Sequence, residues 1–174
     1  MERVDHFSSE QTLNLPYQEG YFDLVIVLAT VEHLPFEGRY KYVDQYYKVL
    51  KIGGLIGFWD TPNRNFFWER HSLGLPFIAS MAPQKAFIYA KFFRKLNANV
   101  TFPDFIRAGT GWRNSSYYEL FPQSKNYIIK DVSYKYGYKK NNIILRFLCW
   151  IFKAPQGFFV KNLDVVFLKE SSFE

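Results

Sequence analysis

Two histidines carry the first chemical suggestion in this chain. A histidine side chain free of its surroundings titrates near neutrality, so a residue of this type, His33 in "ATVEHLP", can act as a general base or orient a nucleophile. It can equally be a ring packed beside a pocket with no proton to move. His71 follows "NRNFFWER" as a second candidate of the same kind, and Asp60 closes the apolar run "LIGFWD". These residues do not spell out a nucleophile, base and orienting acid as a hydrolase triad does. What they can do depends on the elements that position them.

The run "DLVIVLA" at 23–29 is almost continuously β-branched and aliphatic, which predicts a strand apolar on both faces inside a parallel sheet. Next, "EGRYKYVDQYYKVLK" places Tyr40, Val43, Tyr47 and Leu50 at helical spacing. It predicts a helix that stops at Gly53-Gly54, where glycine serves a left-handed cap. "LIGFWD" at 55–60 is a second buried strand, ended by Thr61-Pro62. Strand, helix and strand with short connections make a βαβ unit, which crosses over right-handed in a parallel sheet. The fold class is therefore α/β. Val4–Phe7 is a further short strand candidate. Beyond Pro62 the pattern predicts an extended loop, an amphipathic helix near 84–96, and a short helix at 115–122. In that short helix Ser116 and Glu119 stand at capping-box spacing. A strand at 127–137, a helix at 141–152 and a closing strand at 162–170 complete the chain.

With 174 residues, 48% of them hydrophobic, the chain has the size and composition of one domain with a real core. The 19 Phe and 13 Tyr lie mostly after residue 58, which suggests an aromatic-lined surface there. The net charge of +6 divides unevenly: residues 1–70 carry −3 and residues 71–174 carry +9. A basic second half attracts anions, but its lysines are scattered singly apart from Lys139-Lys140, which argues against a dedicated nucleic-acid surface. Cys149 is the single cysteine, sits in an apolar run and reads as a core thiol. "MERVDHFSSEQ" has no apolar leader segment. The densest apolar run, 141–152, holds Arg146 and falls short of the roughly 20 residues of a spanning helix. A cytoplasmic protein is expected.

Together, "LPYQEGYFDLVIVLATVEHLP" and "VLKIGGLIGFWDTPNR" resemble the class I S-adenosylmethionine-dependent methyltransferases of the type 11 or type 23 kind, over roughly residues 4 to 65. The resemblance implies an incomplete, doubly wound Rossmann-like sheet, strands three to seven. In it 4–7, 23–29 and 55–60 would be the third, fourth and fifth strands, and the last two the sixth and the antiparallel seventh. It implies one domain over 1–174, amino-terminally truncated, with Thr-Pro-Asn-Arg opening a substrate-covering insert at 62–121. The family's Gly-rich cofactor loop precedes its third strand. The chain is thus expected to be the carboxyl-terminal part of a longer enzyme, to be completed by a partner chain, or to serve as a non-catalytic binding or scaffold subunit. Poor solubility and weak cofactor binding are expected of it alone.

The implied cofactor is S-adenosylmethionine. Gln11, with Thr12 and Leu13, would face its adenine, and Leu28, Ala29 and Thr30 would lie beside its sulfonium, with His33 and His71 as catalytic candidates. Members that bind a divalent metal do so through Glu-x-x-Glu-His, and here Ala29 stands at the first Glu, so no metal is expected. The implied reaction is in-line displacement at a methyl group already activated by sulfur, which depends mainly on positioning and on removing the acceptor's proton. The acceptor would be a small molecule or a glycan, with the basic second half favouring an anionic one. Phe66, Phe67, Trp68, Phe77 and Trp112 would line its pocket or form a lid that only completes the core.

Overall fold

The first strand, β1 (Phe22–Leu28), pairs in parallel with β2 (Leu50–Pro62) through the helix α1 (Arg39–Val49), the expected βαβ unit. The computed structural model describes residues 13–36, 38–107, 113–123, 127–136, 143–153 and 160–171. The candidate strand Val4–Phe7 and residues Gln11, Thr12 and Trp112 lie outside them. After β2 come α2 (Pro83–Phe92), α3 (Phe102–Arg107), β3 (Tyr127–Asp131), α4 (Ile143–Ile151) and β4 (Asn162–Ser171). The sheet order is β1-β2-β4-β3, and β4 runs antiparallel to both of its neighbours. No described helix is long and apolar enough to cross a membrane.

Val27 on β1 and Ile56 and Phe58 on β2 turn inward onto Tyr42, Val43, Tyr46 and Tyr47 of α1, and Phe167 of β4 closes the layer. Each large side chain fully buried here contributes about 1.5–3 kcal/mol. The buried stripe of α1 is Arg39, Tyr42, Val43, Tyr46 and Tyr47, and Tyr40 faces solvent. An arginine takes the place that periodicity gave to Tyr40 because both of its Nη groups are used inside, as described below.

The glycine pair does not cap the helix. α1 ends at Val49 and Leu50 is already extended, so the strand begins at once. Gly53, at φ +79°, sits instead in an irregularity of β2, where Phe22 pairs with Leu50 and Leu24 with Leu55. Only glycine adopts that φ freely, and the bulge lets a helix feed directly into a strand. The cap is supplied from elsewhere: Lys169 on β4, 1% exposed, donates to the Tyr47 and Leu50 carbonyls at 2.8 and 2.6 Å. A cation at a helix carboxyl end also opposes the negative end of the helix dipole.

Gly57 is required for contact. Trp59 folds back over it, and a Cβ there would lie 2.0 Å from the indole ring. Gly57→Ala is expected to cost about 1–3 kcal/mol by urea unfolding. In a Trp59→Ala background the penalty should largely vanish. Equal penalties in both backgrounds would refute the contact.

Burial also sets an alkaline limit. It pushes the phenols of Tyr46 and Tyr127 up to about 12 and that of Tyr47 well above its ordinary 10. The folded molecule therefore keeps protons that the unfolded chain releases above pH 10, and stability falls as pH rises from about 10 toward 12. The slope is about 1.4 kcal/mol per pH unit for each retained proton. Lys169 acts in the opposite sense: burial lowers its pKa, so its contribution rises with pH until the unfolded lysine titrates near 10.5. The net loss is thus expected above pH 10.5. Melting temperatures measured from pH 9 to 12 should show it, and a flat profile above 10.5 would contradict it.

On the other side of the sheet β1 is the edge of the described strands. Its outward row, Leu24, Ile26 and Leu28, is 51, 60 and 61% exposed, where the sequence predicts burial on both faces.

Candidate functional site at the carboxyl ends of β1 and β2

The parallel pairing of β1 with β2 ends at Leu28 and Trp59, and the next residue on each chain segment is a non-glycine with left-handed backbone. Ala29 has φ +44° and Asp60 has φ +53°. Such conformations cost of order 1–3 kcal/mol and persist only where the surroundings hold them. Ala29 N–H donates to the Trp59 carbonyl at 3.0 Å, and the Thr30 hydroxyl to the Leu28 carbonyl at 2.7 Å. Asp60 is held from β4: its N–H donates to Asp164 Oδ1 at 2.7 Å, and Asn162 Nδ2 donates to Asp60 Oδ1 at 2.6 Å. The antiparallel β4 therefore brings its first residues to the carboxyl ends of the parallel pair.

Between them opens a cleft of about 140 Å³, lined by Ala29, Asp60, Pro62, Trp68, Arg70, His71, Lys161 and Asn162. Arg70, Lys161 and Asn162 bring donors and Asp60 a carboxylate. Strand termini and a loop converge on one concave site, the usual place for a ligand in an open α/β sheet.

The loop that carries Arg70 and His71 is built around a buried carboxylate. Trp68 bridges to Pro76, and between them Glu69, 1% exposed, turns inward. Its Oε1 accepts the N–H groups of His71 and Ser72 at 2.5 and 2.8 Å, and its Oε2 those of Leu73 and Gly74 at 2.7 and 3.0 Å. Four backbone donors that would otherwise need water are satisfied by one side chain. A small core of Leu75, Ile78, Ala86, Ala90 and Phe105 lies behind this loop.

The loop then ties to the sheet through a second ionic centre. Glu119 Oε2 accepts from Arg39 Nη1 at 3.0 Å and Arg64 Nη2 at 2.9 Å, and its Oε1 from Arg64 Nη1 at 2.7 Å. Arg39, 4% exposed, also donates to the carbonyls of Asn114, Leu34 and Glu32. Burial lowers the Arg39 pKa, and the Glu119 charge opposes that shift. The Thr-Pro-Asn-Arg run thus has a structural use: Asn63 Nδ2 clips the Val160 carbonyl at 2.7 Å, and Arg64 grips Glu119. Ser116 N–H donates to Glu119 at 3.2 Å, the return arm of the expected capping box.

On the cleft's flank, the single-turn helix Val31–His33 presents Glu32 and His33. The His33 and His71 rings lie 5.2 Å apart, so the fold brings the two histidines together. Glu32 is 2% exposed, and neither of its carboxylate oxygens has a hydrogen-bond partner. His33 Nε2 lies 3.8 Å from its Oε1.

Of the residues expected at a cofactor, Ala29 lines the cleft and Thr30 adjoins it. Leu28 points onto the open outer face, and Leu13 packs against the main core. Gln11 and Thr12 lie outside the described residues. Among the described residues, Trp68 is the one aromatic of the expected pocket that lines the cleft; Phe66 and Phe77 each pack on Phe67. Arg70, Lys161 and Asn162 were not singled out by sequence reasoning, because no local spacing relates residues so far apart.

Residues 3–58 match the family described as methyltransferase domain. No curated protein matches the chain. The matched segment contains β1, α1 and the first part of β2, and so the Ala29 wall of the cleft. That match spans about a third of the chain and supports its likeness, over residues 3–58, to the class I S-adenosylmethionine-dependent methyltransferases.

Proposed function

We propose that the chain serves methyl transfer from S-adenosylmethionine to a negatively charged small molecule or glycan, with the acceptor held in the cleft between β1, β2 and the Glu69 loop. The observation that carries this reading is the pair of left-handed residues, Ala29 and Asp60, which follow the last paired residues of β1 and β2 and face one cleft. It is also supported by the sheet order, since β1-β2-β4-β3 is what the fourth, fifth, antiparallel seventh and sixth strands would give.

The described residues fit the methyl-bearing end of the cofactor. Ala29 puts only a methyl group and strained backbone at the cleft, and Asp60 offers carboxylate oxygen to a sulfonium. Among the described residues no glycine lines the cleft, so the fit extends no further. When bound, the cofactor supplies an activated methyl group. The chain's part is then to orient and to handle charge. Arg70 and Lys161 attract and align an anionic acceptor, and Trp68 covers it and limits water.

The test is transfer of labelled methyl to panels of anionic and neutral acceptors. Arg70→Ala and Lys161→Ala should each raise KM for an anionic acceptor about tenfold, with kcat little changed. Unchanged KM in both variants would refute the acceptor assignment. A second reading rests on the open row Leu24, Ile26 and Leu28: a partner chain covers that face, and the protein is a non-catalytic binding or scaffold subunit. Absence of any cofactor heat in calorimetry, with stable hetero-assembly, would favour it.

A further inference from the structure

We propose that Glu32, His33 and His71 form a binding site for one divalent transition-metal ion of the zinc class. The ligand atoms of the three side chains all lie within 4.8 Å of one another. In a tetrahedral zinc site with bonds near 2.1 Å, donors stand about 3.4 Å apart. A contraction of at most about 1.4 Å suffices, and the exposed His33 and His71 rings can supply it by side-chain rotation.

Glu32 supplies the independent argument. Its carboxylate is fully buried, and both oxygens lack a hydrogen-bond donor. An ionised carboxylate in such a place is strongly unfavourable unless a cation or donors meet it. Arg39 gives that carboxylate charge at a distance but no hydrogen bond: its Nη2 goes to the Glu32 backbone carbonyl, and its Nη1 to Asn114, Ser115 and Glu119. A carboxylate oxygen of Glu32 instead lies within 4.8 Å of a ring nitrogen of His33 and of His71.

Donor chemistry selects the ion. One carboxylate with two imidazoles suits zinc, cobalt or iron with a position left open, whereas calcium and magnesium take oxygen ligands. Two separately held segments supply the set. Glu32 and His33 come from the turn after β1, and His71 comes from the loop whose backbone is fixed by Glu69. Spacing alone argued against a metal because Ala29 replaces an acidic residue; the fold brings in His71, which spacing cannot reveal. Since His71 also lines the cleft, the open position lies beside it.

The site can be tested without cofactor or acceptor, so its fate is separate from that of the methyl-transfer reading. The full chain, stripped with chelator, is titrated with Co²⁺ and then Zn²⁺. One equivalent of Co²⁺ with visible d–d absorption, displaced by Zn²⁺, is expected. His71→Ala and Glu32→Gln should each weaken binding at least tenfold, while His6→Ala, at the remaining histidine, should leave it unchanged. His71 is exposed, so its variant is expected to melt as the parent does. No stoichiometric binding by the parent, binding undiminished in folded His71→Ala, or loss in His6→Ala would each overturn the proposal.

Discussion

Glu69→Ala is expected to lower stability by about 3–5 kcal/mol and to free the loop that carries Arg70 and His71. The magnitude follows from what is stranded: four backbone N–H groups lose their acceptor, each worth about 1–3 kcal/mol if left dry, with partial relief from entering water. Glu69 is 1% exposed, so the vacated space adds a packing loss. Glu69→Gln should fall between, because it keeps one oxygen but turns the other position into a donor facing two N–H groups. Urea unfolding gives the stability, and hydrogen exchange at residues 71–74 shows whether the loop opens before the rest. A loss under about 0.5 kcal/mol with protection retained would show that the carboxylate does not hold this loop.

Glu119→Ala is expected to cost about 3 kcal/mol. It removes the single carboxylate between two guanidinium groups, whose side chains are 5 and 17% exposed, and leaves a like-charge pair. Breaking a buried ion pair typically costs about 3–5 kcal/mol, and the lower end applies because the Glu119 side chain is a quarter exposed. Converting Arg64 to Met in the same background should recover part of the loss, since the repulsion goes with it. A double-mutant cycle measures that coupling. Purely additive effects would show that Arg64 and Glu119 do not act together.

Much of this architecture is legible in the residues. "DLVIVLA", "LIGFWD" and "NLDVVFLKE" are strands because β-branched and aromatic side chains run without interruption, and Ser116 with Glu119 marks its short helix by local chemistry alone. The Gly53-Gly54 pair misleads because a positive φ serves a strand bulge as well as a helix cap, and only the pairing of Leu50 with Phe22 decides between them. Lys169 is illegible for a different reason. Its value lies in two carbonyls more than a hundred residues away, and a lysine near the end of a strand ordinarily reads as exposed. The candidate site is legible at Ala29 and Asp60, which end apolar runs, and at His33 and His71 as residue types. Their meeting is not legible, nor is the arrival of Lys161 and Asn162, because both depend on the direction of β4.

The position of β4 sets a timetable for making this protein. Among the described strands it is the last in chain order, yet it lies between β2 and β3. On a ribosome, β2 emerges roughly 100 residues before the strand that completes its second edge. At ordinary synthesis rates of about 5–20 residues per second, that edge waits roughly 5–20 s. β3 has no neighbour at all until β4 arrives. During that interval Ile56 and Phe58 are tied only to the β1 side, and Asp60 lacks the partners that hold its backbone. The cleft can therefore form only after synthesis of the sheet's last strand, and a nascent chain stalled before residue 162 would present an open, apolar strand edge to chaperones.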